Sequence, residues 1–278
     1  MLTDLEAKIT LRRLGYLPGN PLNPRDEVLR HSVGLFQKYY SLKTDGILNG
    51  ETKEALSRPR CFFPDKNFVE REEFMSAEIL LAGGRILSVQ TRAAKGDIAS
   101  VFGIGWPGVN KTFTLYYEFR SGTSPDFCNA VIRAMERWQR VDDGNGASSK
   151  KIVEFQPATA EHPPDLKIGW FVREDGVEYE LGGNALAKAF PPPPSKPSRG
   201  EPIPVEFDGE ASWSKDGGDP DKFTIEAVAT HEIGHILGLA HPLDTIKDST
   251  MSPIFSEGQD AQEISEDAIA TLRELYPI

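Results

Sequence analysis

The stretch from His231 to His241, "HEIGHILGLAH", constrains this chain more than any other part, because it holds three of the five histidines. Successive residues of an α-helix are about 100° apart, so His231 and His235 lie one turn apart on a single helix face. Gly238 lets the backbone leave the helix, after which His241 can return toward the other two imidazoles. The spacing therefore predicts three nitrogen ligands that converge on one metal ion.

Three neutral imidazoles leave the fourth position of a tetrahedral Zn²⁺ ion open, which is typical of a catalytic site. Zinc brings the pKa of a bound water to about 7 and polarises a carbonyl, so peptide hydrolysis becomes feasible near neutral pH. Glu232 follows the first ligand and is the candidate general base, which later returns the proton to the departing amine. Histidines alone do not exclude other metals. A helix with surface histidines in a chance pattern is the alternative interpretation.

Length, charge and hydropathy limit the class of protein. A chain of 278 residues exceeds one core of usual size, so two units are expected. A net charge of -11 without a Lys/Arg cluster argues against a nucleic-acid partner. No apolar run approaches the roughly 18 residues of a membrane span. Asp4, Glu6 and Lys8 interrupt the apolar core that a secretory signal would need, so none is expected here.

Residues 1–60 are predicted to form a small helical unit. Thr3 and Glu6 fit a capping box, and Gly15 ends the first helix. Three apolar residues are expected to form its buried stripe: Leu5, Ile9 and Leu14. Two more helices are expected to end near residues 40 and 56. The order "LRRLGYL" then "GLFQKYYSLKTDGILNGETKEAL" resembles the peptidoglycan-binding-like three-helix module.

The rest of the chain is predicted to combine a sheet with long helices. Residues 66–109 have weak periodicity and are interpreted as a linker with one helix. Ser124 and Pro125 cap a helix, and Asp219-Pro220 is the predicted start of the histidine helix. Strands are expected at 112–119, 151–155, 165–172, 184–190 and 203–207. Strands around an intervening long helix indicate an α/β or α+β fold.

"HEIGHILGLAH" with the downstream "STMSPIF" resembles the metzincins and, within them, the matrix metalloproteinase (matrixin) family. The resemblance extends through "LYYEF", "AMERWQRV" and "NALAKAF", and so covers about 109–278. In that family Met251 matches the methionine turn under the zinc, Pro253 matches a residue lining the specificity pocket, and Phe255 stands where tyrosine is usual. The strand matching "NALAKAF" pairs with the substrate backbone in the family.

The resemblance implies an α+β fold in three parts. They are a peptidoglycan-binding-like helical prodomain (1–60), a switch segment and linker (61–108), and a zinc metallopeptidase catalytic domain (109–278). The last part is expected to have a twisted, mostly parallel sheet, an active-site helix and a C-terminal helix.

Departures from the family pattern concern additional metals. Lys188 and Glu206 stand where two ligands of a second, structural zinc are usual. An ammonium cannot ligate a metal, so we expect one catalytic zinc, no structural zinc, and a cross-strand ion pair instead. Asp165 and Asp208 match calcium-ligand positions of the family, whereas their neighbours do not, so calcium binding stays open.

Two cysteines occur in the chain, and they are interpreted differently. Cys128 lies beside the apolar stripe of its helix and is expected to be a core residue. The segment "PRCFFPD" resembles the family's cysteine switch, in which the thiolate, here Cys61, occupies the fourth zinc position in the latent form. Arg60 and Asp65 match the pair that steadies that loop, whereas Phe62 begins a departure from it. A Cys61–Cys128 disulfide and a free surface thiol are the alternatives.

The leading hypothesis is a zinc metalloendopeptidase made as a zymogen. It would cut protein or peptide substrates, with residues 1–108 as its own intramolecular inhibitor and an activation cut between Lys66 and Asn110. The resemblance implies an extracellular location. The alternative is a cell-wall or glycan-binding protein, or a wall hydrolase, that uses the N-terminal module and carries a non-proteolytic zinc site. Glu232, present beside all three ligands, favours the first hypothesis.

Overall fold

The computed structural model describes residues 1–65, 77–80, 86–89, 92–93, 100–101, 106, 112–171, 184–192, 202–215, 218–242, 249–260 and 263–277. Most of the expected activation region between Lys66 and Asn110 lies outside these residues, as does most of the loop joining His241 to Met251. In the described part of the chain, no helix has the length and apolarity needed to cross a membrane.

The first unit consists of three helices: α1 (Asp4–Arg13), α2 (Asp26–Tyr39) and α3 (Gly50–Leu56). The predicted capping box is confirmed, because Glu6 N–H donates to Thr3 Oγ1 at 3.3 Å and Thr3 N–H donates to Glu6 Oε2 at 2.7 Å. Gly15, with φ of 86°, follows the end of α1 in the left-handed region, as its predicted role requires. We call residues 1–56 the helical module.

The predicted apolar stripe of α1 is wrong in two of its three residues. Leu5 and Ile9 are each 45% exposed, and only Leu14 is buried. The buried face of α1 carries Ala7, Thr10 and Leu11, at the spacing of one helical face. Helices α2 and α3 contact α1, whereas Leu5 and Ile9 project toward solvent.

The described strands are, in chain order, β1 (Arg60–Cys61), β2 (Ala77–Leu80), β3 (Ile86–Val89), β4 (Arg92–Ala93), β5 (Ser100–Val101), β6 (Phe113–Phe119), β7 (Val153–Pro157), β8 (Leu166–Trp170), β9 (Ala185–Ala189), β10 (Ile203–Phe207), β11 (Trp213–Ser214), β12 (Phe223–Thr224) and β13 (Leu239–Ala240). The remaining helices are α4 (Pro125–Gln139), α5 (Ile225–Ile236) and α6 (Glu266–Leu275), with a 3₁₀ turn at Gly146–Ser148.

One six-stranded sheet has the order β1-β9-β10-β8-β6-β7. All neighbours in it are parallel except β9 and β10, which are antiparallel. The predicted α+β fold with a mostly parallel sheet is therefore confirmed. The remaining strands form smaller sheets: β2 pairs with β3, β11 pairs with β12, and β5 lies between β4 and β13.

The predicted linker helix is not found among the described residues of 66–109, which form the four short strands β2 to β5. Strands of two to four residues are too short to give a clear periodicity in the sequence, which is why they were not predicted. One of these strands reaches the catalytic part of the chain: β5 pairs antiparallel with β13, which follows the end of α5.

Helix α4 packs on the sheet and on α5. Its apolar face is buried through Phe127, Val131, Ala134 and Trp138, and Val141 just beyond its end is buried as well. The Trp138 indole N–H donates to the Thr230 carbonyl of α5 at 2.8 Å. This bond fixes α5 against α4 one residue before the first histidine of the motif.

The predicted start of α5 at Asp219-Pro220 is wrong. Helix α5 begins at Ile225, because Phe223–Thr224 form strand β12 and keep the chain extended up to that point. Asp219 instead closes a turn, accepting from the Asp221 N–H at 3.2 Å and pairing with Lys222 at 2.7 Å.

Candidate metal centre

Helix α5 and the turn after it bring the three histidine side chains of the motif to one point. The Nε2 atoms of His231 and His235 are 3.1 Å apart, and those of His241 and His231 are 3.3 Å apart. The Sγ atom of Cys61 lies 3.4 Å from His235 Nε2. Ligands about 2.0–2.3 Å from a tetrahedral Zn²⁺ ion are roughly 3.3–3.6 Å apart, so this donor set fits zinc.

The other nitrogen of each imidazole donates its proton to a backbone carbonyl. These Nδ1–H bonds run from His231 to Thr250 (2.9 Å), from His235 to Leu239 (2.8 Å) and from His241 to Pro64 (3.1 Å). A carbonyl oxygen only accepts, so each proton is fixed on Nδ1 and each Nε2 lone pair faces the shared centre. The sequence did not reveal these acceptors, because a backbone carbonyl belongs to every residue type.

Burial keeps the three imidazoles neutral. It lowers the pKa of His231 and of His241 well below the ordinary value, with His235 nearby adding to the effect, and it lowers the pKa of His235 to about 4. Neutral imidazole is the form that binds a metal. The site is therefore ready to bind zinc near neutral pH without first releasing protons from these ligands.

Glu232 lies in α5 beside the first ligand and is completely buried. Neither of its carboxylate oxygens has a hydrogen-bond partner among the described residues. Burial raises the pKa of Glu232 to about 8, and the nearby Cys61 thiol and Ala189 backbone oppose this only in part. Apart from these two neighbours, the carboxylate has no partner among the described residues, and a poorly paired buried acid next to a metal-binding donor set is typical of functional sites.

Cys61 lies in β1, which adds to the edge of the sheet next to β9. Its N–H donates to the Pro253 carbonyl at 2.9 Å, and the next N–H, of Phe62, donates to the Ala187 carbonyl at 3.0 Å. The short strand thus runs between β9 and the segment that follows Met251. Burial raises the pKa of the Cys61 thiol, with the Glu232 carboxylate adding to it, whereas a bound zinc ion would lower it.

Both cysteines are free thiols, so the Cys61–Cys128 disulfide is wrong, and Cys61 is buried, so the surface-thiol alternative is wrong as well. Cys128 packs against the edge of the core, half-buried, and its thiol donates to Thr123 Oγ1 at 3.4 Å.

Arg60 and Asp65, which flank Cys61 in the sequence, form a buried ion pair. Tyr40 joins both, since its hydroxyl donates to Asp65 Oδ2 at 2.8 Å and accepts from Arg60 Nη1 at 2.9 Å. The Tyr16 hydroxyl also donates to Asp65 Oδ2, at 3.2 Å. The two tyrosines belong to the helical module, so this module is bonded to the loop that carries Cys61.

Comparison with known proteins gives two family matches. Residues 105–277 match the model of the Matrixin family, and residues 5–56 match the Putative peptidoglycan binding domain. The first match spans more than half of the chain. This chain belongs to the matrixin family. It is accordingly a zinc metalloendopeptidase, with a helical module of the peptidoglycan-binding type before its catalytic part.

Several curated proteins are similar to this matrixin. Metalloendoproteinase 5-MMP of Arabidopsis thaliana is 27% identical over 286 residues, which cover 98% of this chain and 70% of that protein. Metalloendoproteinase 1 of Glycine max is 25% identical, covering 98% of this chain and 81% of that protein. Karilysin of Tannerella forsythia is 32% identical over 152 residues, 53% of this chain and 29% of that protein. The similarity to the plant proteins therefore includes the helical module.

The turn that carries Met251 packs closely against α5, between the two histidines of that helix. Met251 is fully buried, and a Cβ added to Gly234, between the two helical ligands, would overlap its Sδ atom. Pro253 is buried, and the Phe255 ring stands 5.2 Å from the His231 ring. No role was predicted for Gly234 from the sequence, although a glycine inside a helix can indicate close packing at that position.

Gly238 has φ of 95° and follows the end of α5, as its predicted role requires. Few residues other than glycine adopt this conformation, which turns the chain so that His241 faces the helix.

The predicted pair of Lys188 and Glu206 is confirmed. The two residues are direct partners on β9 and β10, and Lys188 Nζ lies 2.7 Å from Glu206 Oε2. A third member was not expected, since Arg120 Nη2 lies 2.5 Å from Glu206 Oε1. The two residues that match calcium-ligand positions of the family bond to the backbone: Asp165 Oδ2 accepts from the Tyr116 N–H, and Asp208 Oδ1 accepts from the Glu210 N–H.

Proposed function

We propose that this matrixin is made as a latent zymogen. His231, His235 and His241 hold the catalytic zinc, and Cys61 occupies its fourth position until the N-terminal part is removed. The observation that carries this proposal is the group of four buried donor atoms, all within 4.8 Å of one another. A thiolate is a strong zinc ligand, and in that position it excludes the water that hydrolysis requires.

Zinc bound by these residues supplies a Lewis acid that polarises the scissile carbonyl and makes water a nucleophile near neutral pH. The proton chemistry belongs to Glu232, which takes the proton of the attacking water and returns it to the departing amine. Neither of its carboxylate oxygens makes a hydrogen bond in the described part of the chain, which leaves both able to accept the proton.

The peptide substrate adds to the edge of β9, which is the edge that β1 covers in the latent chain. Four backbone hydrogen bonds hold the covering segment, from the N–H groups of Arg60, Cys61, Phe62 and Phe255. A substrate strand and this segment therefore compete for the same backbone groups. We assign residues 1–60 to the helical prodomain, 61–108 to the switch segment and linker, and 109–278 to the catalytic domain.

Protein or peptide substrates outside the cell fit this assignment, and the helical module acts within the molecule. Its tyrosines Tyr16, Tyr39 and Tyr40 are buried, and their hydroxyls donate to Asp65 or to Pro242. Stacking on a glycan requires exposed aromatic rings, and these are enclosed. The contacts favour an inhibitory role of the module over the glycan-binding alternative.

Hydrolysis of a quenched peptide tests the proposal. The intact chain and a form that begins near residue 108 are assayed with and without chelator. We expect activity in the truncated form alone, its loss with chelator, and its return on adding zinc. If neither form cuts any peptide of a diverse library while each holds one zinc ion, the peptidase mechanism proposed here is wrong.

Substitution of the general base separates catalysis from metal binding. Glu232→Gln keeps the size of the side chain but cannot accept the proton, so turnover of the truncated form should fall by at least 100-fold. The zinc content should stay at one ion per chain, measured by elemental analysis. Loss of the metal together with activity would mean that Glu232 supports the site and is not its base.

A further inference from the structure

His241, the third proposed ligand, differs from the other two in the part of the chain that accepts its Nδ1–H bond. The Nδ1–H groups of His231 and His235 donate to carbonyls of Thr250 and Leu239, both in the catalytic part of the chain. The Nδ1–H of His241 donates to the carbonyl of Pro64, 177 positions earlier, in the switch segment. The orientation of this imidazole therefore depends on a segment that activation removes.

The helical module gives a second support at the same ligand. Tyr39, the last residue of α2, donates its hydroxyl to the carbonyl of Pro242 at 2.9 Å. Pro242 directly follows His241, and the bond is buried. The Tyr39 ring packs edge-on against the rings of Tyr16 and Tyr40, at centroid distances of 6.3 and 5.0 Å, so its own position is fixed.

Asp65 brings these two supports together. Its Oδ1 lies 3.8 Å from His241 Nδ1, and its N–H donates to the Leu14 carbonyl of the module at 3.2 Å. Its carboxylate is held by Arg60 and by two tyrosine hydroxyls of the module. The side of His241 that faces away from the metal is thus packed against residues of the N-terminal part.

Groups that bond to the far nitrogen of a metal-binding histidine orient the ring, and their loss typically costs 10–100-fold in metal affinity. We propose that the helical module and the switch segment hold zinc in the latent chain through His241, in addition to the Cys61 thiolate. Activation then removes two kinds of support at once, a ligand and the groups that orient another ligand. This rests on the proposed function, in which His241 and Cys61 bind zinc and activation removes the N-terminal part, and it makes Tyr39 a positioning residue.

Release of zinc from the intact chain into a chromogenic chelator tests the role of Tyr39. Tyr39→Phe keeps the ring and its packing but removes the hydrogen bond to Pro242, worth about 1 kcal/mol. We expect zinc release to become about fivefold faster. Tyr117→Phe is the matched control, because the Tyr117 hydroxyl makes no hydrogen bond in the described part of the chain. The zinc release rate of this variant should equal that of the unmodified chain.

The reactivity of Cys61 shows by which route Tyr39 acts. In chains that also carry Cys128→Ala, Cys61 is the only thiol, and its alkylation is measured with excess zinc. The proposal predicts the same alkylation rate with and without Tyr39→Phe. An unchanged zinc release overturns it, and so does alkylation that rises in step with release, because Tyr39 would then act through the thiol. Zinc content is measured first, so that a chain without zinc, which would refute the proposed function, is recognised separately.

Discussion

At the scale of single residues, the metal centre depends on what lies behind the ligands. Each imidazole is oriented by a backbone carbonyl that accepts its Nδ1–H. Gly234 has no side chain, so α5 can lie close to Met251. The side-chain donors could be predicted from their spacing. The carbonyl acceptors could not, because the backbone at residues 64, 239 and 250 is brought near by the complete fold and has no sequence signature of its own.

Gly234→Ala tests how closely the methionine turn fits under the helix. The added Cβ would overlap Met251 Sδ, and it would lie 3.0 Å from Met251 Cε and 3.2 Å from Trp138 Cζ2. Overpacking of this kind costs about 1–3 kcal/mol, which exceeds the gain in helix propensity of about 1 kcal/mol. We expect a lower free energy of unfolding and weaker zinc binding, measured by denaturant titration and chelator competition.

Gly34→Ala in α2 is the matched control for that prediction. A Cβ there would meet only Thr44 Cγ2 at 3.8 Å, which is ordinary contact. The helix propensity should then raise the free energy of unfolding by about 0.5–1 kcal/mol, with zinc binding unchanged. Equal effects of the two substitutions would contradict the tight fit at Gly234.

At the scale of elements, β9 and β10 are joined by charge where the family pattern led us to look for metal ligands. Glu206 lies between the cations of Lys188 and Arg120, and all three side chains are largely buried. An ammonium paired in this way has no lone pair to offer to a metal. We therefore expect elemental analysis of the intact chain to give one zinc ion, and two would contradict this interpretation.

The same cluster should also stabilise the sheet. Glu206→Gln leaves two cations beside a neutral amide, and we expect a loss of about 1–3 kcal/mol in the free energy of unfolding. Glu263→Gln is the control, since Glu263 is 78% exposed and pairs with Arg137 at the surface, where such a bond contributes about 0–1 kcal/mol. Denaturant titrations of both variants compare a buried with an exposed acid.

How well each element could be predicted followed the strength of its local signal. Helix α4 had a cap, a first-turn proline and a continuous apolar face, and it forms where these indicated. Helix α5 starts later than Asp219-Pro220, because pairing of β12 with β11 overrides a good capping sequence. The prediction for α1 was wrong because its packing against α2 and α3 decides which face is buried, and this packing does not follow from the hydrophobic residues of α1 alone.

At the scale of the whole molecule, the N-terminal part and the catalytic part are joined at the metal centre. The switch strand completes the sheet edge at β9, its cysteine meets the histidines, and the helical module is bonded to Asp65 and Pro242 on either side. The proposed inhibition would thus involve a ligand, a strand and a packed module. A local motif such as "PRCFFPD" indicated the ligand, whereas contacts between residues 39 and 242 depend on the complete fold.

The proposed thiol latch at Cys61 is tested by comparing peptide hydrolysis by three intact chains: the unmodified chain, Cys61→Ala and Cys128→Ala. The two substitutions each remove one of the two thiols, but only Cys61 lies with the zinc-binding histidines. We expect Cys61→Ala to be at least tenfold more active than the unmodified chain, because its fourth zinc position admits water, while Cys128→Ala stays latent. Cys61→Ala that holds zinc and is no more active than the unmodified chain would contradict the thiol latch.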